Sequence, residues 1–335
     1  MKDFFISSWD DNEKKVKNIL SKIYERTNSN KQSRLFLLCA EEYSFQHIGK
    51  FTLNDFIFDS NLVETCLLLG ATKQIEFKCL SKKKNFKVVL WPNFWIYKSV
   101  SEVDIKNLKQ NKNIQNLYIC LNRVAHSHRI KTLQQLKQHS ILNDGIISWH
   151  NAEPNELTSA TEILNTDQIK LKSEENLEEF YQHVIPSECN NCLINLITES
   201  TTDSKVIDIS EKTINAIISE MPFIIVGTPY VHQTLKNWGF ELYTEIFDYE
   251  FDSFLSEEKR IENIVIQLKK LKNKYSCLQQ LHSLLRSKTK QNKNRLIEII
   301  KNEELIPKEA RKYSHYARII ESAKNNLNYI KGEQK

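Results

Sequence analysis

From Phe4 to Trp238, short apolar runs alternate with stretches whose apolar positions recur every three or four residues. The alternation predicts strands and helices in turn, the pattern of a parallel α/β fold. It is sharpest at CLINLITESTTDSKVIDISEKTINAIISEMPFIIVGT, Cys192 to Thr228. Leu193 to Thr198 and Pro222 to Gly227 read as buried strands, with a helix from about Ser210 to Ser219 between them. Ile214, Ile217 and Ile218 give that helix one apolar stripe, Asp208 or Ser210 is placed to cap it, and Glu211 falls in its first turn. Two strands flanking one helix make a βαβ unit with parallel strands. Ligands of such sheets bind beyond the carboxyl ends of the strands, which points to the loop Glu199 to Ile209.

The same reading extends along the chain. Phe4 to Trp9 is a predicted strand running into Asp10, followed by a helix to about Glu25 striped by Val16, Ile19, Leu20 and Ile23. Arg34 to Glu42 is a second strand that also ends in carboxylates, Glu41 and Glu42. Asn61 to Gly70 reads as a short helix closed by glycine, and Lys87 to Trp91 as a buried strand stopped by Pro92. Trp91, Phe94, Trp95 and Tyr97 suit packing between two halves, or a platform for a sugar ring or base. The polar stretch Ser101 to Asn113 is the expected linker.

A second unit opens with a strand at Asn116 to Leu121 and a loop at Asn122 to Ser127. A helix with Ile130, Leu133 and Leu136 inward follows, then a strand at Gly145 to Trp149. Asn151 to Gln168 reads as a loop and Glu174 to His183 as a helix. Beyond Thr228 come a helix at Tyr230 to Trp238, an acidic-aromatic loop and a long helix from Ser256, with further helices to about residue 330 interrupted by a basic run and Pro307. The expected organisation is α/β: Rossmann-like domains at 1–105 and 114–255 facing a cleft, then a basic helical region at 256–335.

Composition narrows this reading. The chain has 335 residues, 40% hydrophobic and 27% charged, with six Gly and six Pro, which fits a globular protein of two domains. No apolar stretch reaches the length of a membrane span, and MKDFFISSWDD turns acidic too soon for a signal peptide. Seven scattered cysteines suit a reducing compartment, so a cytoplasmic location is expected. The net charge of +5 is unevenly spread, because residues 256–335 hold 19 Lys/Arg against 9 Asp/Glu. Arg286 to Arg295 carries five positive charges and no negative one: an anionic contact surface for nucleic acid or membrane, or a solvated helix face.

Chemistry concentrates in two loops. Arg123, His126, His128 and Arg129 surround the first turn of the second unit, where glycine is absent. That excludes a dinucleotide fingerprint or P-loop and leaves phosphate to side chains, for which the arginine fork is apt. His126 and His128 lack a third ligand at useful spacing, so no metal site is expected. Cys189-Asn-Asn-Cys192 has no second pair, and its second cysteine opens a strand, against both the zinc and the redox readings. In the other loop Glu199, Ser200, Asp203, Ser210, Glu211 and Lys212 gather at a helix start. A positive helix end beside lysine suits an anion, and a carboxylate suits sugar hydroxyls. Glu211 also has a plainer use, answering the helix dipole for roughly 0.3–1 kcal/mol.

Glu199-Ser200, then Ser210-Glu211-Lys212 opening a helix, then Pro222 to Gly227 resemble the donor-site signature of fucosyltransferase- and exostosin-like glycosyltransferases. Closer still is a similarity to a glycosyltransferase family of large viruses and phages, which extends to Leu121-Asn122, Arg123 and His128-Arg129 before a helix. The likeness covers about Asn116 to Leu271. Ile207-Asp208-Ile209 departs from the aromatic and small residues of fucosyltransferases, as does Ser219-Glu220-Met221 from their small turn.

The resemblance implies a GT-B architecture and transfer of a sugar from a nucleotide-sugar co-substrate, inverting and metal-independent, with no other cofactor. It implies that Glu211 meets the ribose and Lys212 lies near the diphosphate. Arg123 and Arg129 would share the departing charge, with His126, His128, Ser200 and Ser210 in the donor-binding set. Glu199 would contact the donor sugar or order its loop. Asp10, then Glu41, are the expected acceptor bases from the first domain. The acceptor would be a glycan, a lipid-linked sugar, a protein or modified DNA, in the host cytoplasm if the protein is viral. The alternatives are a nucleic-acid-directed protein, either a transferase acting on modified viral DNA or a non-catalytic binder, and a degenerate fold serving as an interaction module.

Overall fold

A computed structural model describes residues 1–7, 13–39, 47–48, 51–56, 58–69, 85–91, 94–109, 112–122, 126–149, 184–202, 207, 209–312 and 314–332. Among them are two four-stranded parallel sheets. The first contains β1 (Lys2–Ser7) and β2 (Ser33–Cys39); after a short antiparallel ladder of β3 (His47–Ile48) with β4 (Phe51–Thr52), β5 (Val63–Leu69) and β6 (Phe86–Leu90) complete it in the order β1-β2-β5-β6.

Alternation along these strands covers both faces. Phe4, Ile6, Leu35, Leu37, Val63 and Leu67 pack with Val16, Leu20 and Ile23 of α1 (Glu13–Asn28), whereas Phe36, Cys66 and Leu68 join the larger core. The span expected as a helix at Asn61 to Gly70 is strand β5. Its run of Cys66 and three leucines fits a buried strand and a buried helix equally well by periodicity, and tertiary pairing with β2 decides.

The aromatic cluster lies at the junction of the halves. α2 (Phe94–Glu102) buries Phe94 and Tyr97, and Trp91 meets Tyr316 edge-on at 4.7 Å. The Tyr97 hydroxyl donates to the carbonyls of Ile299 and Glu304, at 3.0 and 2.6 Å. Described residues of the stretch expected as a linker are tied to the rest of the fold. Asp104 bridges to Val184, and the Lys112 ammonium donates to the Ser219 and Glu220 carbonyls.

The second sheet holds β7 (Asn116–Asn122), β8 (Gly145–Trp149), β9 (Cys192–Thr198) and β10 (Phe223–Val226), ordered β10-β9-β7-β8. Gly145 is required by close approach, since a β-carbon there would lie 2.4 Å from the Tyr118 ring. α3 (Ser127–Gln138) follows β7, α4 (Glu211–Ile218) joins β9 to β10, and α5 (Val231–Asn237) follows β10. The outer edge of β10 is closed by a buried side chain. The Ile225 N–H donates to His232 Nε2 at 3.0 Å, so His232 Nδ1 carries the proton it gives to Asp252 Oδ1 at 2.8 Å.

α6 (Glu257–Lys274), α7 (Leu278–Lys301), α8 (Ser314–Asn325) and α9 (Leu327–Lys331) complete the chain. α6 packs on α3 and β10, while α8 returns to α2 of the first half. The basic run does not interrupt a helix; it lies within α7. Lys288 pairs with Glu245 at 2.6 Å and Lys293 with Glu220 at 2.9 Å, and Arg295 is bound by Glu304. Among the described residues no helix is long and apolar enough to cross a membrane.

Candidate functional site at the carboxyl edge of the second sheet

From β7 the chain moves to β8 on one side, then returns to β9 on the other. This reversal places the topological switch point between the carboxyl ends of β7 and β9, where the two chemistry-bearing loops diverge. The strand ends are tied together, with the Thr198 hydroxyl donating to Asn122 Oδ1 at 2.7 Å.

The first turn of α3 supplies one wall. His128 Nε2–H donates to the Glu199 carbonyl at 2.7 Å, and Arg129 Nη2 reaches the carbonyls of Thr198 and Glu199 at 3.4 and 3.3 Å. Both side chains are buried. Burial, then the adjacent Arg129 charge, lowers His128 to about 4, which leaves the imidazole neutral. His126 precedes the helix, stacked on His128 at 5.7 Å. His128 and Arg129, two members of the expected donor-binding set, therefore brace the end of β9.

The other wall is the start of α4. Glu199 is fully buried, and its Oε1 accepts the Ser210 N–H at 3.1 Å and the Thr213 hydroxyl at 2.7 Å. Its Oε2 is buried without a hydrogen-bond partner, and burial raises the carboxyl above its usual range. This geometry ties the end of β9 to the start of α4. Ser200 follows, partly exposed. Ser210 caps α4, its hydroxyl accepting the Lys212 N–H at 3.3 Å.

Glu211 and Lys212 form an ion pair of 2.8 Å with side chains only 10% and 15% exposed. Burial opposes ionisation of Glu211, but Lys212, the residue's own N–H and the Arg129 charge together hold its carboxyl low. Lys212 of α4 pairs directly with this carboxylate, and the buried Arg129 of α3 adds a weaker attraction. Glu199 and Ser210 answer two N–H groups at this helix start, those of Ser210 and Lys212.

A narrow pocket opens beside the pair. Leu121, Asn195 and Ile197 of the sheet face Glu211, Lys212, Asn215 and Ser219 along α4, and Val184 to Pro186 form a third side. No group of three or more His, Cys, Asp or Glu among the described residues is placed to hold a metal. Cys189 and Cys192 are buried free thiols, and burial pushes Cys189 up to about 12.

Compared with known proteins, the chain matches no family model, no curated protein and no solved structure.

Arg260 is a residue of this edge that sequence reasoning missed. Almost fully buried, it donates from Nε to the Gly227 carbonyl at 3.2 Å, from Nη2 to Thr202 at 2.9 Å, and from Nη1 to Leu255 at 3.1 Å and to Phe254. Three loops meet on one guanidinium. In sequence it is one more charge in the first turns of a basic helix, and no signal separates it from its solvated neighbours. Asp10, Glu41, Arg123 and Asp203 lie outside the described residues.

Proposed function

We propose that the chain is a glycosyltransferase that takes a nucleotide-activated sugar at the carboxyl edge of its second sheet. The observation that carries this reading is that two largely buried cations from different helices, Arg129 on the carbonyls that end β9 and Lys212 on Glu211 at the start of α4, lie beside the switch point. Two cations in a poorly hydrated site suit a diphosphate, and the carboxylate paired with one of them suits ribose hydroxyls. The return of α8 to α2 supports a two-domain GT-B-like arrangement, with the acceptor held by the first domain.

In the proposed reaction the acceptor oxygen attacks the anomeric carbon and the bond to the diphosphate breaks. The electron pair leaves with the β-phosphate oxygen, where Arg129, Lys212 and Arg123 offset the growing charge. The acceptor proton passes to a carboxylate of the first domain, Asp10 or Glu41, and attack opposite the leaving group inverts the centre. Neutral His128 cannot add charge and serves instead to hold the Glu199 carbonyl.

Thermal shift against paired nucleotides and nucleotide sugars, followed by assay of nucleoside diphosphate release, tests the reading. A ligand at 100 times its dissociation constant stabilises by about 2.7 kcal/mol. Stabilisation by a nucleotide sugar together with diphosphate release supports the proposal, and a protein indifferent to the whole panel removes it.

A further inference from the structure

Tyr230 stands in the left-handed region, at φ 64° and ψ 16°, with 51% of its surface exposed. A β-carbon makes that conformation costly, and bulky residues avoid it. The backbone is held there from both sides. Its N–H donates to the Asp252 carbonyl at 2.7 Å, and its carbonyl accepts the Thr234 N–H and hydroxyl, each at 2.9 Å. The phenol has neither a hydrogen bond nor a ring contact among the described residues. Hydrogen bonding and ring stacking give no reason for an aromatic ring where glycine would relieve the strain.

Its position gives one. Tyr230 lies three residues beyond Gly227, and a β-carbon on Gly227 would sit 3.5 Å from Glu199 Cγ, so this turn adjoins the buried carboxylate of the site. Arg260 fixes the Gly227 carbonyl together with those of Thr202 and Leu255. Leu255 is 74% exposed and Ile207 37%. Half of the six large hydrophobic residues that are exposed in the described chain thus belong to loops at this one edge.

We infer that Tyr230 is a sugar-recognition residue, whose ring takes the apolar C–H face of the sugar carried by the nucleotide, with Leu255 and Ile207 extending that lip. The inference rests on the glycosyltransferase reading and assigns the sugar a contact separate from the charged cluster. A sugar ring presents hydroxyls at its rim and C–H groups on its face, and an exposed aromatic ring matches the face. Arg260 is the positioning residue that holds the three loops in register.

The test titrates nucleotide sugars and the matching nucleoside diphosphates into wild type, Tyr230→Gly and Tyr230→Phe. Tyr230→Gly is expected to melt no lower than wild type, to bind the nucleotide sugar about tenfold more weakly, and to bind the diphosphate unchanged. Tyr230→Phe keeps both affinities. Unchanged sugar binding in Tyr230→Gly, an equal loss for both ligands, or a lower melting temperature overturns the inference while leaving the transferase reading in place. A wild type that binds no member of the panel overturns both.

Discussion

The hydroxyl of Thr213 donates to Glu199 Oε1 at 2.7 Å, so the residue leaving β9 holds the first turn of α4 in place. The Ser210 N–H reaches the same oxygen. Removing that acceptor strands two buried donors. Glu199→Ala is expected to lower stability by about 2–4 kcal/mol, whereas Glu199→Gln, which keeps an acceptor, costs about 1 kcal/mol or less. Urea denaturation of the two variants checks the contrast, and equal losses would contradict it.

His128 adds a pH dependence of known sign. Its folded value of about 4 lies below the ordinary 6.5, so between the two the unfolded chain binds more protons. The stability due to neutral His128 is complete above about pH 6.5 and is lost as pH falls toward 4, a change of about 3 kcal/mol. Unfolding free energies measured from pH 7 to 4.5 should fall more steeply for wild type than for His128→Asn. Parallel curves would show that this histidine is not kept neutral.

His232 and Asp252 make a structural prediction away from the charged cluster of Glu211 and Lys212. His232→Ala frees the Ile225 N–H on the sheet edge and leaves Asp252 with less compensation. Asp252 retains the backbone N–H groups of His232 and Gln233, which moderates the effect. A loss of about 2–4 kcal/mol is expected in chemical denaturation, with nucleotide affinity unchanged when measured well below the unfolding transition.

The basic helix speaks to nucleic acid. Of the five cations in Arg286 to Arg295, three are held by carboxylates, and Arg286 and Lys290 stand exposed. Two free cations imply a slope of only about −2 for log affinity against log salt on duplex DNA. Fluorescence anisotropy that gives a slope near −5 would mean that all five reach phosphate.

Much of this architecture was legible before the structure, for a physical reason. β9 and β10 are fully buried and β7 nearly so, and Gly145, Pro222 and Gly227 punctuate the sheet, so run length and breakers agree. Ser210 and Glu211 likewise announce a helix start through capping chemistry. At β5 local pattern failed, because its contiguous apolar run fits either periodicity and only pairing with β2 settles it. The inward turn of Arg129 toward backbone carbonyls and the convergence of three loops on Arg260 were equally hidden. Both depend on where distant backbone carbonyls lie, which residue type alone does not encode.

The most direct test of the central claim is calorimetric titration of the nucleoside diphosphate selected by the ligand panel into wild type and into the double variant Glu211→Gln/Lys212→Met. Replacing both partners of the ion pair strands neither of them, and chemical denaturation of the double variant checks that the fold is retained. The account predicts binding by wild type and a loss of about 30-fold or more, about 2 kcal/mol, in the double variant. Equal affinity in the two proteins would contradict it.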